Sequence, residues 1–140
     1  MARQRAAENP STPENVLEAL AKDGDENVRV EVANNPSTPA RVLEALARDK
    51  TQEVRSRVAM NSSTPLSVLE VFAKDDRTAR SNVAANPSTP ANLLEVLATD
   101  KDPDVRASVA VNPSTPLGLL EALAKDEKYF VRYRVRDRVR

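Results

Sequence analysis

The stretch Asn86-Pro87-Ser88-Thr89-Pro90-Ala91-Asn92-Leu93-Leu94-Glu95-Val96-Leu97-Ala98-Thr99-Asp100-Lys101-Asp102-Pro103-Asp104-Val105-Arg106-Ala107-Ser108-Val109-Ala110 is one structural unit, and the chain writes it five times. Its opening phrase, Asn-Pro-Ser-Thr-Pro, begins at Asn9 and returns nearly unchanged at Asn35, Asn61, Asn86 and Asn112, at spacings of 26, 26, 25 and 26 residues. A fixed period of this size marks a stacked-repeat solenoid, in which each unit buries its apolar face only against its neighbours. The 140 residues therefore divide into a half repeat (1–8), repeats 9–34, 35–60, 61–85 and 86–111, and a last repeat 112–140 ending in a cap. All belong to one repeat domain.

Each repeat carries two helical signals. In the first, Thr12 can cap free amides and Pro13 suits the first helical position. Val16, Leu17, Leu20 and Ala21 then form one apolar stripe at helical period, which predicts a helix from about Pro13 to Lys22. Asp23, Gly24 and Asp25 supply a turn. A second, shorter segment has Val28, Val32 and Ala33 on one side. It must stop by Asn34 or Asn35, because Pro36 disfavours the α conformation in the residue before it. Only about two turns are available to it, as α or partly 3₁₀ helix. Neither helix is stable alone at such lengths, so stacking must hold both.

Aligning the repeats within the chain separates framework from freedom. Leu17, Leu43, Leu69, Leu94 and Leu120 share one position; Val32, Val58, Val83, Val109 and Val135 share another. With Ala21, Ala47, Ala73, Ala98 and Ala124 they predict a thin aliphatic core. Each Leu or Val contributes about 1.5–3 kcal/mol on burial. Three charged positions recur as strictly. They are Glu18, Glu44, Glu70, Glu95 and Glu121; Asp23, Asp49, Asp75, Asp100 and Asp126; and Arg29, Arg55, Arg80, Arg106 and Arg132. Asp and Arg in every layer read as a structural ladder bracing the turns and bridging adjacent repeats, with Arg favoured for its bidentate fork. The alternative, a ligand stripe, has no need of the same residue in every layer. Asn-Pro and Ser-Thr-Pro read as turn and cap chemistry.

Composition excludes several functions. Charges balance at 21 against 21, so no global field draws in nucleic acid or an anionic membrane. The chain has neither cysteine nor histidine, which removes thiolate nucleophiles, disulfides, the usual proton shuttle and the commonest metal ligand. Two glycines, Gly24 and Gly118, make no anion-binding loop. No catalytic, metal or cofactor-binding residues are predicted. No apolar run follows Met1-Ala2-Arg3-Gln4-Arg5, and no segment approaches a membrane span. A cytoplasmic setting is the natural expectation.

The pattern from Asn86 to Ala110 resembles the leucine-rich repeat variant family, and is similar to HEAT repeats in its Asp100 and its Val105-Arg106 pair. The resemblance covers about Ala2 to Arg140 and recurs in every repeat. It implies alternating α and 3₁₀ helices stacked in a right-handed superhelix without strands. One branch of the family carries a cysteine-rich iron–sulfur segment, a cofactor that this cysteine-free chain cannot take over. Membership implies a fold more than a function.

The irregular positions are where specificity can reside. Ala2, Arg3, Ala6 and Ala7 align with Val54, Arg55, Val58 and Ala59 as a modest N-terminal cap. The third repeat is one residue short, with Ala79 in place of valine and Phe72 in place of leucine, which predicts a loosened layer or a local change in superhelix twist. Variable positions such as Glu14, Asn15, Arg41, Leu66 and Leu117 are expected in solvent, and the two leucines would make a modest partner-binding strip. The last helix is expected to run on, with Val131, Val135 and Val139 as its apolar line. Tyr129, Tyr133, Arg132, Arg134, Arg136, Arg138 and Arg140 form either a polar cap or a basic patch, and the cap is favoured because repeat stacks need polar ends. The favoured function is a non-enzymatic scaffold that binds a protein partner; the alternative is a HEAT-like nucleic-acid binder using the basic C-terminal helix. The oligomeric state is left open.

Overall fold

A computed structural model describes residues 2–138 and contains, among them, eleven α-helices and no strand. The helices are α1 (Ala2–Glu8), α2 (Glu14–Leu20), α3 (Glu26–Asn34), α4 (Ala40–Leu46), α5 (Gln52–Met60), α6 (Leu66–Phe72), α7 (Arg77–Ala85), α8 (Ala91–Leu97), α9 (Pro103–Val111), α10 (Leu117–Leu123) and α11 (Tyr129–Arg138). Two compact units divide within α6, one covering Met1–Val68 and the other Leu69–Arg140. In the first, α3 packs between α1 and α5; in the second, α9 packs between α7 and α11. Even-numbered helices carry the first half of each repeat, odd-numbered helices the second.

The relative lengths of the two helices reverse the expectation. The first helix is the shorter, seven residues, and the second is nine residues of α-helix throughout in α3, α5, α7 and α9. The first helix ends early because Lys22 and Asp23 turn back onto Ala19 and Leu20 through three-residue bonds, which tighten the last turn into a corner. The second begins directly after that corner, where Asp25, Asp76 and Asp102 cap α3, α7 and α9 with side-chain oxygens. At the far end Pro36, Pro87 and Pro113 bar continuation of α3, α7 and α9, and the preceding Asn35 is extended at ψ 122°; α5 stops at the same place before Ser62, with Asn61 extended in the same way.

Threonine caps the opposite helix end from the one expected. Pro13, Pro39, Pro90 and Pro116 occupy the N-cap position in extended conformation, and no side chain caps these helices. The hydroxyls of Thr38, Thr64, Thr89 and Thr115 instead donate to the carbonyls of Val32, Val58, Val83 and Val109, six residues upstream. Those carbonyls lie at the end of the preceding helix and already accept the backbone amides of Asn35, Asn61, Asn86 and Asn112, so each hydroxyl adds a second bond to a buried acceptor.

The core is the aliphatic set read from the repeat. Leu17, Leu43, Leu69, Leu94 and Leu120 are buried, as are Val32, Val58, Val83, Val109 and Val135. Ala73 and Ala98 are buried too, whereas Ala124 is open to solvent beside α11. In the short third repeat Ala79 is half-buried, while Val105 and Val131 at the same position of the next two repeats are fully buried. Its corner is tightened by Asp75, which accepts from the adjacent Asp76 amide instead of the amide two residues on. Val131 and Val135 line the buried side of α11; Val139 lies outside the described residues.

Candidate functional site

The recurring Asp and Arg residues meet across repeats. Arg106 donates from Nε and Nη2 to the two carboxylate oxygens of Asp126, at 2.7 and 3.1 Å, and from Nη1 to the Asp100 carbonyl at 2.8 Å. Arg80 grips Asp100 and the Asp75 carbonyl in the same way. Arg29 grips Asp49 and the carbonyls of Asp23 and Gly24, with Thr51 as an added acceptor. Arg3 pairs with Asp23 at 2.8 Å, and Arg55 donates to the Asp49 carbonyl. Each of Asp49, Asp100 and Asp126 also accepts a backbone N–H two residues on, so one carboxylate shapes its own corner while anchoring the previous repeat. Glu44, Glu70, Glu95 and Glu121 stand in solvent, and Glu18 pairs with Arg41.

These carboxyls are tuned for pairing. Burial pushes Asp49, Asp100 and Asp126 upward, but the guanidinium bonds from Arg29, Arg80 and Arg106 and the corner amides outweigh it, leaving each below the ordinary aspartate value. A depressed carboxyl contributes stability that is complete above its unfolded value, about 3.9, and is lost as pH falls through the lower folded value. With no histidine in the chain, stability should hold level from pH 7 to about 5 and fall below about pH 4. Thermal melts followed by circular dichroism across this range check it, and Arg106→Gln should flatten the acid decline. A transition centred near pH 6 would contradict this account.

A second buried polar set is built from Asn-Pro-Ser-Thr itself, and its long-range bonds go beyond turn chemistry. The Asn112 amide donates to the carbonyls of Ala84 and Asn86, at 2.7 and 2.9 Å, while its Oδ1 accepts the Ser114 amide. Asn35 bonds Ala7 and Asn9 in the same way, and Asn61 bonds Ala33 and Asn35. The hydroxyls of Ser37, Ser63 and Ser114 donate to the carbonyls of Pro10, Pro36 and Pro87, one repeat back. A signal for this was present: the third repeat replaces proline with Ser62 yet keeps Asn61. A turn alone would accept Asp or Ser.

Arg138 holds the same register, 26 residues after Asn112, and reaches the same kind of acceptors, the carbonyls of Ala110 and Asn112. That places one arginine of the basic segment in the stack. Arg132 donates to the Asp126 carbonyl and lies 5.7 Å from the Tyr129 ring centre; Arg136 lies 5.5 Å from that of Tyr133. Arg134 and Phe130 line a shallow groove with Asp104, Ser108 and Val111. Arg140 lies outside the described residues. Leu66, Leu117, Tyr129 and Tyr133 are exposed, Leu117 by 65% and Tyr129 by 62%. Val71 and Val96, at one repeat position and 68% and 62% exposed, were missed by reading the variable leucines alone.

Fold and ladders together define a stacked helical-repeat protein whose repeated polar residues serve the stack. The chain belongs to the leucine-rich repeat variant family. The model of the leucine-rich repeat variant domain matches residues 54–108, and that of the leucine-rich repeat variant matches residues 26–50 and 103–127. A solved structure described as a leucine-rich repeat variant with a novel repetitive protein structural motif is 31% identical, with a TM-score of 0.66. The match covers 96% of this chain and 54% of that one, so the chain spans about half its length. No curated protein matches significantly. Among the described residues no group of acidic side chains could hold a metal ion, and no helix is long and apolar enough to cross a membrane.

Proposed function

We propose that the chain is a non-enzymatic, cytoplasmic scaffold that binds a protein through the positions that differ between repeats. One observation carries this reading. The invariant Asn, Thr, Asp and Arg side chains are engaged within the stack, whereas large aliphatic side chains, Val71, Val96 and Leu117, stand in solvent on first helices of the second unit. Exposed aliphatic area of this kind is what an interface removes from water. The displaced carboxyls support the non-enzymatic part, since arginine holds them ionised, the reverse of what a general acid needs.

Affinity capture from native cells, compared with the Val96→Asp/Leu117→Asp double variant, tests the scaffold. A discrete partner retained by the wild type and lost by the variant, with an unchanged thermal melt, is the expected result. Identical captures, or none at physiological salt, would reject it. A second reading, nucleic-acid binding, draws on Arg132, Arg134 and Arg136, which meet no carboxylate among the described residues. It requires oligonucleotide affinity that falls steeply with salt.

A further inference from the structure

Phe130 and Arg134 stand one turn apart on α11, at the places that Glu53 and Arg57 occupy on α5. On α5 the pair is closed, with Arg57 donating from Nε and Nη2 to the Glu53 carboxylate at 3.1 and 3.0 Å. On α11 phenylalanine cannot answer the arginine, and among the described residues no carboxylate meets Arg134. On α9 the same two places hold Asp104 and Ser108, and Ser108 turns its hydroxyl back onto the Asp104 carbonyl at 3.1 Å. Next to it α9 carries Ala107 where α3 carries Val30, and α7 carries Ser81 there. Side chains this small leave a gap.

The gap is a groove of about 380 Å³, lined on the α9 side by Asp104, Ala107, Ser108 and Val111 and on the α11 side by Phe130 and Arg134. Helix α9 packs between α7 and α11, so the groove lies within the stack of the second unit, and both of its walls are helices of that stack. Phe130 and Val111 are exposed. Val111 follows Asp104 by seven residues, which makes the α9 wall about 10 Å long, room for about three residues of extended chain. Asp104 is met by Arg77 at 3.4 Å, so the lining charge left without an answer is the Arg134 guanidinium.

We infer that the groove between α9 and α11 docks a short segment of a partner protein in which an acidic residue stands beside a large apolar one. The apolar side chain covers Ala107 between Phe130 and Val111, removing all three from water. The carboxylate takes the place beside Arg134 that Glu53 takes beside Arg57. The small floor lets the backbone of the segment approach closely, and the Ser108 hydroxyl oxygen can accept one of its amides. A phosphate backbone needs a track of cations, whereas this groove sets Asp104 opposite Arg134. The inference rests on the reading of the chain as a protein-binding scaffold and adds to it a partner chemistry and a second face, on helices other than those that bear Val96 and Leu117.

The probe is the acetylated, amidated peptide Gly-Ser-Leu-Asp-Leu-Ser-Gly, titrated to millimolar concentration into the ¹⁵N-labelled chain. Amide shifts should cluster at Ala107, Ser108, Val111, Phe130 and Arg134. Asparagine in place of the peptide's aspartate should weaken binding about threefold, the size expected of an exposed ion pair. Phe130→Thr, which installs the residue that α7 carries at this place, should weaken it about tenfold with an unchanged thermal melt. Arg134→Glu should reverse the charge preference, so that the peptide with lysine for aspartate binds more tightly than the original. Three outcomes would overturn the inference: no shifts in the groove, a preference that Arg134→Glu leaves unchanged, or an oligothymidine that shifts these amides where the peptide does not. A concentration-dependent dimer dissolved by Arg134→Glu would assign the groove to a second copy and overturn it as well. Failure of the peptide alongside cellular capture that depends on Val96 and Leu117 removes this inference alone and leaves the scaffold standing.

Discussion

Arg106→Ala is expected to destabilise the second unit by about 3–5 kcal/mol, the cost of leaving one member of a buried ion pair alone. The side chains of Arg106 and Asp126 are only 9% and 8% exposed, so water cannot rehydrate the stranded carboxylate without loosening the layer. The same change orphans the Asp100 carbonyl, which receives the Arg106 Nη1 bond. Arg106→Lys should recover part of the loss, because a lysine restores charge but not the two-pronged grip. Replacing both partners, Arg106→Met with Asp126→Leu, should come out close to neutral, since two charges no longer need desolvation. Urea melts of the four proteins give the comparison. A loss below about 1 kcal/mol for Arg106→Ala would show that the pair behaves like an exposed one and braces nothing.

Asn112→Asp is expected to cost a similar amount, although it changes one atom. Asn112 is 1% exposed, and its amide is the donor for two carbonyls of the previous repeat. The Asn86 carbonyl keeps a bond from the Thr89 amide, so the Ala84 carbonyl is the one left bare. Asn112→Ala should therefore cost about 1–3 kcal/mol, the penalty for an unsatisfied buried acceptor. The aspartate adds repulsion between its oxygens and those carbonyls, bringing the loss to about 3–5 kcal/mol at pH 7. Burial and two facing acceptors raise the pKa of the introduced carboxyl. Its penalty is largest when ionised and shrinks as pH falls through that raised value and a proton is regained for donation. Between pH 7 and 4.5 the melting temperature of the variant should rise while that of the wild type stays level. Equal pH profiles, or a loss no greater than that of Asn112→Ala, would contradict a donor role for this residue.

Much of the fold was readable because the repeat compares the chain with itself. A position that is leucine in all five repeats can only be core, and an aspartate and arginine that recur in step must answer to each other or to a common ligand. The helix lengths were misread because apolar spacing marks where a helix buries, not where backbone bonds tighten it; Lys22 and Asp23 continue the pattern in sequence but turn a corner in space. Threonine was assigned to the wrong helix end for a related reason. Its hydroxyl can serve either side of the loop, and only the position of the Val32 carbonyl and its equivalents decides which. The surface was legible in part. Variable leucines stood out, whereas Val71 and Val96 passed as ordinary members of an apolar helix until their side chains were seen to face water.

From residues alone come the period, the all-helical class, the aliphatic spine and the absence of thiol or imidazole chemistry, because these depend on local periodicity and on which side chains exist. Three-dimensional packing had to settle the rest: Asn112 reaching carbonyls 26 and 28 residues back, Arg138 taking over that task in α11, and Arg106 gripping an aspartate 20 residues on. Each of these turns on where a backbone carbonyl or a carboxylate of another layer points. Neighbouring layers share nearly the same letters, so that direction is set by how they stack and is not written in any one of them.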